Sequence, residues 1–173
     1  MRQLLITLFL LSPWALAQPA APPGHNVHFV AEDKGGSLFW RGGSPRSDTL
    51  QALQKRAQER QRPITLIDLR RPPTRDDLLG HAGRLTPTGE AQLARGLGLR
   101  YRSISALDSD LIQVLDQALK AGDVYIHCMY GVNRTGFAVA RYATAHGLKL
   151  DRKALGKRDW QEGVRFQKAR NPR

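Results

Sequence analysis

The chain has 173 residues, and its 27 Lys and Arg against 15 Asp and Glu give a formal net charge of +12 at pH 7. It contains a single cysteine, Cys128, so it cannot form an internal disulfide, which excludes a small disulfide-stapled domain. The basic charge favours anionic ligands, but no nucleic-acid-binding motif accompanies it, and we expect no specific nucleic-acid partner.

Residues 1–17 are typical of a secretory signal peptide. A short basic start precedes the apolar run Leu4–Leu11, and Ala15-Leu16-Ala17 follows with the small residues that a signal peptidase recognises. The run is too short for a membrane anchor and no second one follows, so we expect an exported protein, periplasmic or secreted, without a membrane span. Residues 18–26 are expected to form a flexible leader, and residues 27–173 a single domain that is monomeric.

The apolar pattern of the first half predicts strands that alternate with helices. In chain order, it predicts strands at Val27–Val30 and Ser37–Trp40, a helix at Thr49–Arg60 capped by Ser47 or Asp48, a buried strand at Ile64–Leu69, a loop over 70–86 and a helix at Thr88–Arg95.

The second half continues this alternation. It predicts a strand at Leu99–Ile104, an amphipathic helix at Asp110–Ala121 ended by Gly122, a short strand at Val124–His127, a buried helix at Arg134–His146 ended by Gly147, and a last helical stretch with Trp160 and Phe166. Strands alternating with helices indicate an α/β fold, with a central sheet flanked by helices.

The segment that joins the last predicted strand to the buried helix carries the candidate chemistry. A loop that runs into a helix N-terminus gathers backbone N–H groups in one hollow, and the helix dipole favours an anion there. The planar guanidinium of Arg134 can bind two phosphate oxygens at once. In the same field we expect the Cys128 thiol to be ionised at neutral pH and to act as a nucleophile. The predicted phosphate-binding residues are Met129, Tyr130, Gly131, Val132, Asn133 and Arg134.

Two further residues of this segment have predicted roles. Thr135 is expected to donate its hydroxyl to the sulfur, and His127 to orient the loop through hydrogen bonds. A bare Cys-x5-Arg pattern would also fit a buried cysteine and a surface arginine. The combination of His, Cys, Gly, Arg, Thr and Gly between a strand and a helix favours the catalytic interpretation. No cluster of His, Cys and Asp suggests a metal, and we expect no cofactor.

The segment resembles the signature loop of the protein-tyrosine phosphatase superfamily, H-C-x-x-G-x-x-R-[S/T]-G, and is most similar to the small, atypical dual-specificity phosphatases. The stretches Trp40–Pro45 and Ile67–Arg70 resemble the N-terminal region of the plant, fungal and bacterial atypical group, so the resemblance spans about residues 37–147. It implies a cysteine-phosphatase (dual-specificity phosphatase-like) fold and a metal-free reaction in two steps. Cys128 would form a phosphocysteine, and an aspartic acid would protonate the leaving oxygen before water releases phosphate.

The resemblance also indicates where this acid should lie, on the loop after the strand that matches Leu99–Ile104. Here that loop is short, Ala106-Leu107-Asp108-Ser109-Asp110, and the usual proline nearby is missing. Asp108 is the predicted general acid and Asp110 the second candidate. The alternative role for Asp108 is the N-cap of the following helix.

Several functions remain open at this stage. The expected substrate is a phosphorylated protein or a small-molecule phosphate, including an inositol (poly)phosphate. The stretch Gly131–Gly136 also resembles the loop of RNA 5′-triphosphatases, a branch of the same superfamily. Outside phosphatase chemistry, the chain could be a non-catalytic phosphate-binding module. A rhodanese-type sulfurtransferase also uses a loop cysteine, but its loop is usually shorter.

Overall fold

The computed structural model describes residues 19–79 and 83–150; the predicted signal peptide and the helical stretch with Trp160 and Phe166 lie outside these ranges. Within them, five strands form one sheet. The strands in chain order are β1 (His28–Glu32), β2 (Leu38–Gly43), β3 (Ile64–Asp68), β4 (Arg100–Ser103) and β5 (Asp123–Cys128). Their order across the sheet is β1-β2-β5-β3-β4.

Helices connect the strands and cover both faces of the sheet. They are α1 (Ser47–Arg60), α2 (Arg75–Leu79), α3 (Pro87–Gly96), α4 (Leu111–Ala121) and α5 (Asn133–His146). None of the helices in the described ranges is long and apolar enough to cross a membrane.

The alternation of side chains along β5 divides the core into two layers. Val124 and Ile126 pack with α4 and α5 on one face, together with Cys128. Tyr125 packs on the other face with apolar side chains of α1 and α3. Because neighbouring residues of a strand point to opposite faces, Cys128 lies on the α5 side and His127 on the α3 side.

The strands that matter for the site end at the same edge of the sheet. β2, β5, β3 and β4 are mutually parallel, and only β1 runs antiparallel, against β2. Gly43, the last residue of β2, stands opposite Cys128, the last residue of β5. In parallel α/β sheets, ligands bind outside the carboxyl ends of the strands, which is where the candidate loop lies.

The structure confirms the predicted fold class, and most elements lie where the sequence places them. Three elements differ from the prediction. β2 extends to Gly43 because Gly42 and Gly43 pair with His127 and Cys128 of β5. α1 begins at Ser47, with Arg46 rather than Ser47 or Asp48 at the N-cap position. The predicted loop over 70–86 contains the short helix α2, which begins after Thr74.

Candidate active site

Cys128 lies where β5 ends, and its side chain is buried at 3% exposure against α5. Residues 129–132 then lead to α5, whose first residue is Asn133. Val132 occupies the N-cap position and supplies no side-chain hydrogen bond to the first turn. The first N–H groups of a helix have no partner within it, so here they can bind a ligand, and the helix dipole favours an anion.

The carbonyl oxygens of the loop are held on its outer side. The Met129 oxygen accepts a hydrogen bond from Ser44 N at 3.0 Å. The Gly131 oxygen accepts one from Asn26 Nδ2 at 3.1 Å and another from the guanidinium of Arg41. Because the C=O and N–H of a trans peptide point in opposite directions, the N–H groups that follow these carbonyls face inward. Successive amides turned to one side form an anion-binding concavity.

Gly131 brings the loop against β2. Its φ of +71° is in the left-handed region that favours glycine. A Cβ at this position would lie 2.5 Å from the carbonyl carbon of Gly42 and 2.6 Å from the nitrogen of Gly43. Both the turn and this close approach of two backbones therefore require glycine.

The guanidinium of Arg134 is held by Asp77 of α2. Nη1 donates to Oδ2 and Nη2 to Oδ1, each at 2.9 Å, which makes a bidentate pair. Burial alone would raise the pKa of Asp77, but hydrogen bonds from Arg134 and Thr74 hold that pKa below its usual value. Burial alone would lower the pKa of Arg134, but the Asp77 hydrogen bonds and the Cys128 charge raise it above the usual value.

His127 lies directly before Cys128 in the chain, with its side chain on the opposite face of β5. Its Nε2 is 2.8 Å from Oε1 of Glu90 in α3, and both side chains are fully buried. Within the described residues neither atom has an aligned hydrogen-bond partner, so the two are in close contact without a linear hydrogen bond. Nδ1 of the ring lies 3.4 Å from the Cys128 carbonyl oxygen. These contacts fix the imidazole beside the start of the loop.

Arg70 links this pair to Asp68, the last residue of β3. Its guanidinium donates to Asp68 Oδ1 at 2.8 Å and Oδ2 at 2.9 Å, and also to Glu90. The Tyr101 hydroxyl donates to Asp68 Oδ2 at 2.6 Å. Burial alone would raise the pKa of Asp68, but the charge of His127 and the hydrogen bonds from Arg70 and Tyr101 lower it below its usual value.

The same side chains resemble a metal site in composition. Ligand atoms of Asp68, Glu90 and His127 lie within 4.8 Å of one another. Arg70 already donates to both carboxylates, so a cation placed among them would meet the charge of its guanidinium. We therefore interpret this cluster as a buried ion-pair network that supports the loop.

Thr135 is fully buried in the first turn of α5. In the described part of the chain its hydroxyl has no hydrogen-bond partner. A buried hydroxyl without a partner has a free-energy cost. The hydroxyl therefore remains available for the predicted interaction with the sulfur of Cys128.

One rim of the loop is basic. Tyr130 is 44% exposed, and the guanidinium carbon of Arg84 lies 5.1 Å from the centre of its ring. A polar hollow of about 280 Å³ lies on this side, lined by Arg84, Arg46, His25 and Ser44 among others, with Asp48 as its acidic residue. In residues 19–79 and 83–150, neither arginine forms an ion pair with a carboxylate.

No protein-family model and no curated protein matches the sequence. Among solved structures, the chain is similar to a DUF442 phosphatase from Shewanella putrefaciens CN-32, with 16% identity, a TM-score of 0.57 and coverage of 86% of this chain and 91% of that one. It is also similar to TpbA of P. aeruginosa, with 22% identity, a TM-score of 0.50 and coverage of 82% and 84%. The mixed five-stranded sheet with flanking helices is shared with these phosphatases. The chain has the cysteine-phosphatase fold.

In this cysteine-phosphatase fold, the predicted loop residues gather at one edge of the sheet. Cys128 ends β5, and Arg134 and Thr135 lie in the first turn of α5 with the turned amides between them. His127 stands behind them, on the α3 side.

The candidate general acids lie on the short connection between β4 and α4. Asp108 Oδ2 accepts a hydrogen bond from Ser105 N at 3.1 Å, so its carboxylate closes a turn and does not cap α4. Arg141 of α5 donates to the Asp108 carbonyl oxygen at 3.0 Å, which fixes this connection to α5. Asp110 occupies the N-cap position of α4 and makes no side-chain cap hydrogen bond.

Sequence reasoning missed three acidic residues of this site, Asp68, Asp77 and Glu90. The sequence does contain a pattern that could have indicated Asp77, because Thr74-Arg75-Asp76-Asp77 matches the [ST]-x-x-[DE] pattern of a capping box. The structure forms that box, with Thr74 N donating to Asp77 Oδ2 at 2.7 Å. No comparable pattern marked Glu90, since a glutamate is usually exposed to solvent.

Proposed function

We propose that the protein is a cysteine-dependent phosphatase that hydrolyses phosphate monoesters, of the protein-tyrosine or dual-specificity type. The observation that carries the proposal is the loop between β5 and α5, with its outward-held carbonyls, its buried cysteine and its positioned arginine. Inward amides beside a guanidinium suit a tetrahedral oxyanion, and a cysteine sulfur is a suitable nucleophile toward its phosphorus. The likeness to phosphatase structures supports the same chemistry.

The proposed reaction has two steps. The Cys128 sulfur attacks phosphorus, the ester P–O bond breaks, and Asp108 transfers its proton to the leaving oxygen to give an alcohol. Water then attacks the phosphocysteine, the S–P bond breaks, and the proton lost by the water returns to Asp108, which leaves inorganic phosphate and the free thiolate. Arg134 and the loop amides neutralise the phosphoryl oxygens in both steps, and the Thr135 hydroxyl stabilises the departing sulfur.

The first test is hydrolysis of 4-nitrophenyl phosphate in the presence of EDTA. We expect turnover without added metal, and Cys128→Ser should reduce kcat to below about 1% because the nucleophile is lost. Arg134→Lys should raise KM and lower kcat, since a point charge cannot replace a bidentate fork. Loss of activity on chelation would contradict the metal-free mechanism.

Two controls separate the other classes of function. Binding of inorganic phosphate without any turnover would indicate a non-catalytic phosphate-binding module. Sulfur transfer from thiosulfate to cyanide, in the absence of phosphatase activity, would indicate a sulfurtransferase.

A second candidate substrate is a polyphosphorylated small molecule such as an inositol polyphosphate. The basic hollow beside Tyr130 favours it, because Arg46 and Arg84 could bind a second phosphate group. The test compares kcat/KM for phosphotyrosyl peptide, inositol polyphosphate and RNA 5′-triphosphate. If the hollow binds substrate, Arg84→Gln should reduce kcat/KM about tenfold for the polyphosphate and much less for 4-nitrophenyl phosphate.

A further inference from the structure

Arg134 uses only part of its hydrogen-bonding capacity within the protein. A guanidinium offers five N–H donors arranged around a plane. Asp77 accepts one hydrogen bond from Nη1 and one from Nη2. These two nitrogens form the end-on edge of the guanidinium. The other Nη1 donor faces the Leu69 carbonyl oxygen at 3.5 Å, a long contact. For Nε–H and the second Nη2–H the described residues supply no acceptor.

These two remaining donors lie side by side on one edge of the guanidinium and form a second fork. We propose that Asp77 is a positioning residue, which holds the end-on edge of Arg134 so that the Nε–Nη2 fork is directed to the phosphate of the substrate. The inference rests on the proposed function, in which Arg134 binds the phosphoryl oxygens.

Asp77 is itself held firmly enough for this purpose. Its side chain is fully buried, and the Arg134 side chain is 11% exposed. Besides the two bonds from Arg134, its Oδ2 accepts hydrogen bonds from Thr74 N at 2.7 Å and from Thr74 Oγ1 at 2.8 Å. Both carboxylate oxygens are therefore in use, and the position of the carboxylate is set by the capping box of α2.

Positioning matters because an arginine side chain loses considerable rotamer freedom when it is fixed. In the native protein Asp77 orders the guanidinium before the substrate arrives, so less of this cost falls on phosphate binding. Without Asp77, Arg134 would keep its charge but sample several rotamers. Phosphate affinity and rate should then fall together, because the same fork contacts the phosphoryl group in the ground state and in the transition state.

The test is a double-mutant cycle between Asp77 and Arg134, read out as the dissociation constant of inorganic phosphate by calorimetry and as KM and kcat for 4-nitrophenyl phosphate. We expect Asp77→Ala to weaken phosphate binding about tenfold, which corresponds to about 1.4 kcal/mol. In an Arg134→Ala background the same change should have little further effect, because Asp77 acts through Arg134. Asp76→Asn is the matched control: Asp76 is the exposed neighbour in α2 and should leave both constants unchanged.

Two results would overturn the proposal. Tighter phosphate binding by Asp77→Ala would mean that Asp77 competes with phosphate for the guanidinium. An equal loss in the presence and absence of Arg134 would mean that Asp77 acts only on the fold. If Asp77→Ala unfolds, Thr74→Val removes one anchor of the carboxylate and should weaken phosphate binding in the same direction. Phosphate binding requires no turnover, so this test remains valid even if the proposed hydrolysis is not observed.

Discussion

At the scale of single residues, Asp108 is the proposed source of the proton for the leaving oxygen. Its carboxylate accepts one backbone hydrogen bond, from Ser105, and its connection is fixed to α5 through Arg141. A general acid contributes most when the leaving oxygen is strongly basic, typically about 10²–10⁴-fold. Asp108→Asn should therefore slow hydrolysis of phenyl phosphate by about 10²-fold or more, and that of 4-nitrophenyl phosphate far less. The measurement is kcat for a series of aryl phosphates.

Asp110→Asn is the control for this prediction. Asp110 lies on the same connection, is exposed, and makes no side-chain cap hydrogen bond. The Asp110→Asn variant should show the same dependence of kcat on the leaving group as the unmodified protein. The opposite outcome, with the effect in Asp110→Asn and only lower thermal stability in Asp108→Asn, would make Asp110 the acid. If neither variant changes the leaving-group dependence, the departing group needs no acid from this connection, as expected when the substrate is a triphosphate.

The residues of the loop could be predicted from the sequence because their spacing is local. Cys128 and Arg134 lie in one continuous segment, and a strand and a helix bound that segment on its two sides. Asp77 stands 57 positions before Arg134, and no periodic pattern connects the two. Glu90 reaches His127 only because α3 packs on the face of β5 opposite Cys128. The partners that hold a loop in place are set by tertiary packing, which a single sequence does not display.

At the scale of elements, the contact between the loop and β2 depends on Gly131. Gly131→Ala would require an unfavourable positive φ and would place a Cβ within 2.6 Å of the β2 backbone. Strain of this kind costs about 1–3 kcal/mol before any clash is counted. We expect a loss of at least about 2 kcal/mol in the free energy of unfolding, measured by urea denaturation, together with loss of phosphate binding.

Gly96→Ala provides the comparison for this element-scale prediction. Gly96 is the last residue of α3, and a Cβ there would meet nothing within 4 Å. Alanine should be neutral or stabilise the helix by up to about 1 kcal/mol. Equal stability of the two variants would mean that the loop and β2 can move apart without cost.

The accuracy of the predicted elements follows the strength of their local signals. α4 and α5 were predicted within a residue, because each has a helical apolar pattern and a glycine at its C-terminal end. β2 was predicted too short, because Arg41-Gly42-Gly43 lacks the apolar alternation of a strand and is held in the sheet by its pairing with β5. α2 is a single turn stabilised by a cap, and it gives no periodic signal at all.

At the scale of the whole molecule, the alternation of strands and helices indicated the layers but not the strand order. That order places β5 between β2 and β3, so that the candidate loop lies at the middle of the sheet edge. It brings the buried acids Asp68 and Asp77 to the two sides of the same edge. Each carboxylate forms an ion pair with an arginine, Asp68 with Arg70 and Asp77 with Arg134.

These two carboxylates should control the stability of the molecule in acid. Their pKa values in the folded protein lie below the usual value, for Asp68 and for Asp77 alike. An unfolded aspartate has a pKa of about 3.9, so near and below that value the unfolded chain binds protons that the folded chain does not. The resulting stability is fully present above the unfolded pKa and is lost as the pH falls through the folded values.

The measurement is the free energy of unfolding in urea at a series of pH values from 7 to 3. We expect little change between pH 7 and 5 and a steep loss below about pH 4. Asp68→Asn should be less stable at pH 7 and should lose less on acidification, because one of the titrating groups is gone. The curve of unfolding free energy against pH for Asp76→Asn, a change at an exposed position, should run parallel to that of the unmodified protein.

The formal charge of +12 at pH 7 grows as carboxylates are protonated, so part of the loss in stability comes from general charge repulsion. That part should diminish in high salt, whereas the difference between the Asp68→Asn and Asp76→Asn curves should persist, because a buried pair is screened much less. Identical slopes for these two variants would show that repulsion alone, and not the buried network, unfolds the protein in acid.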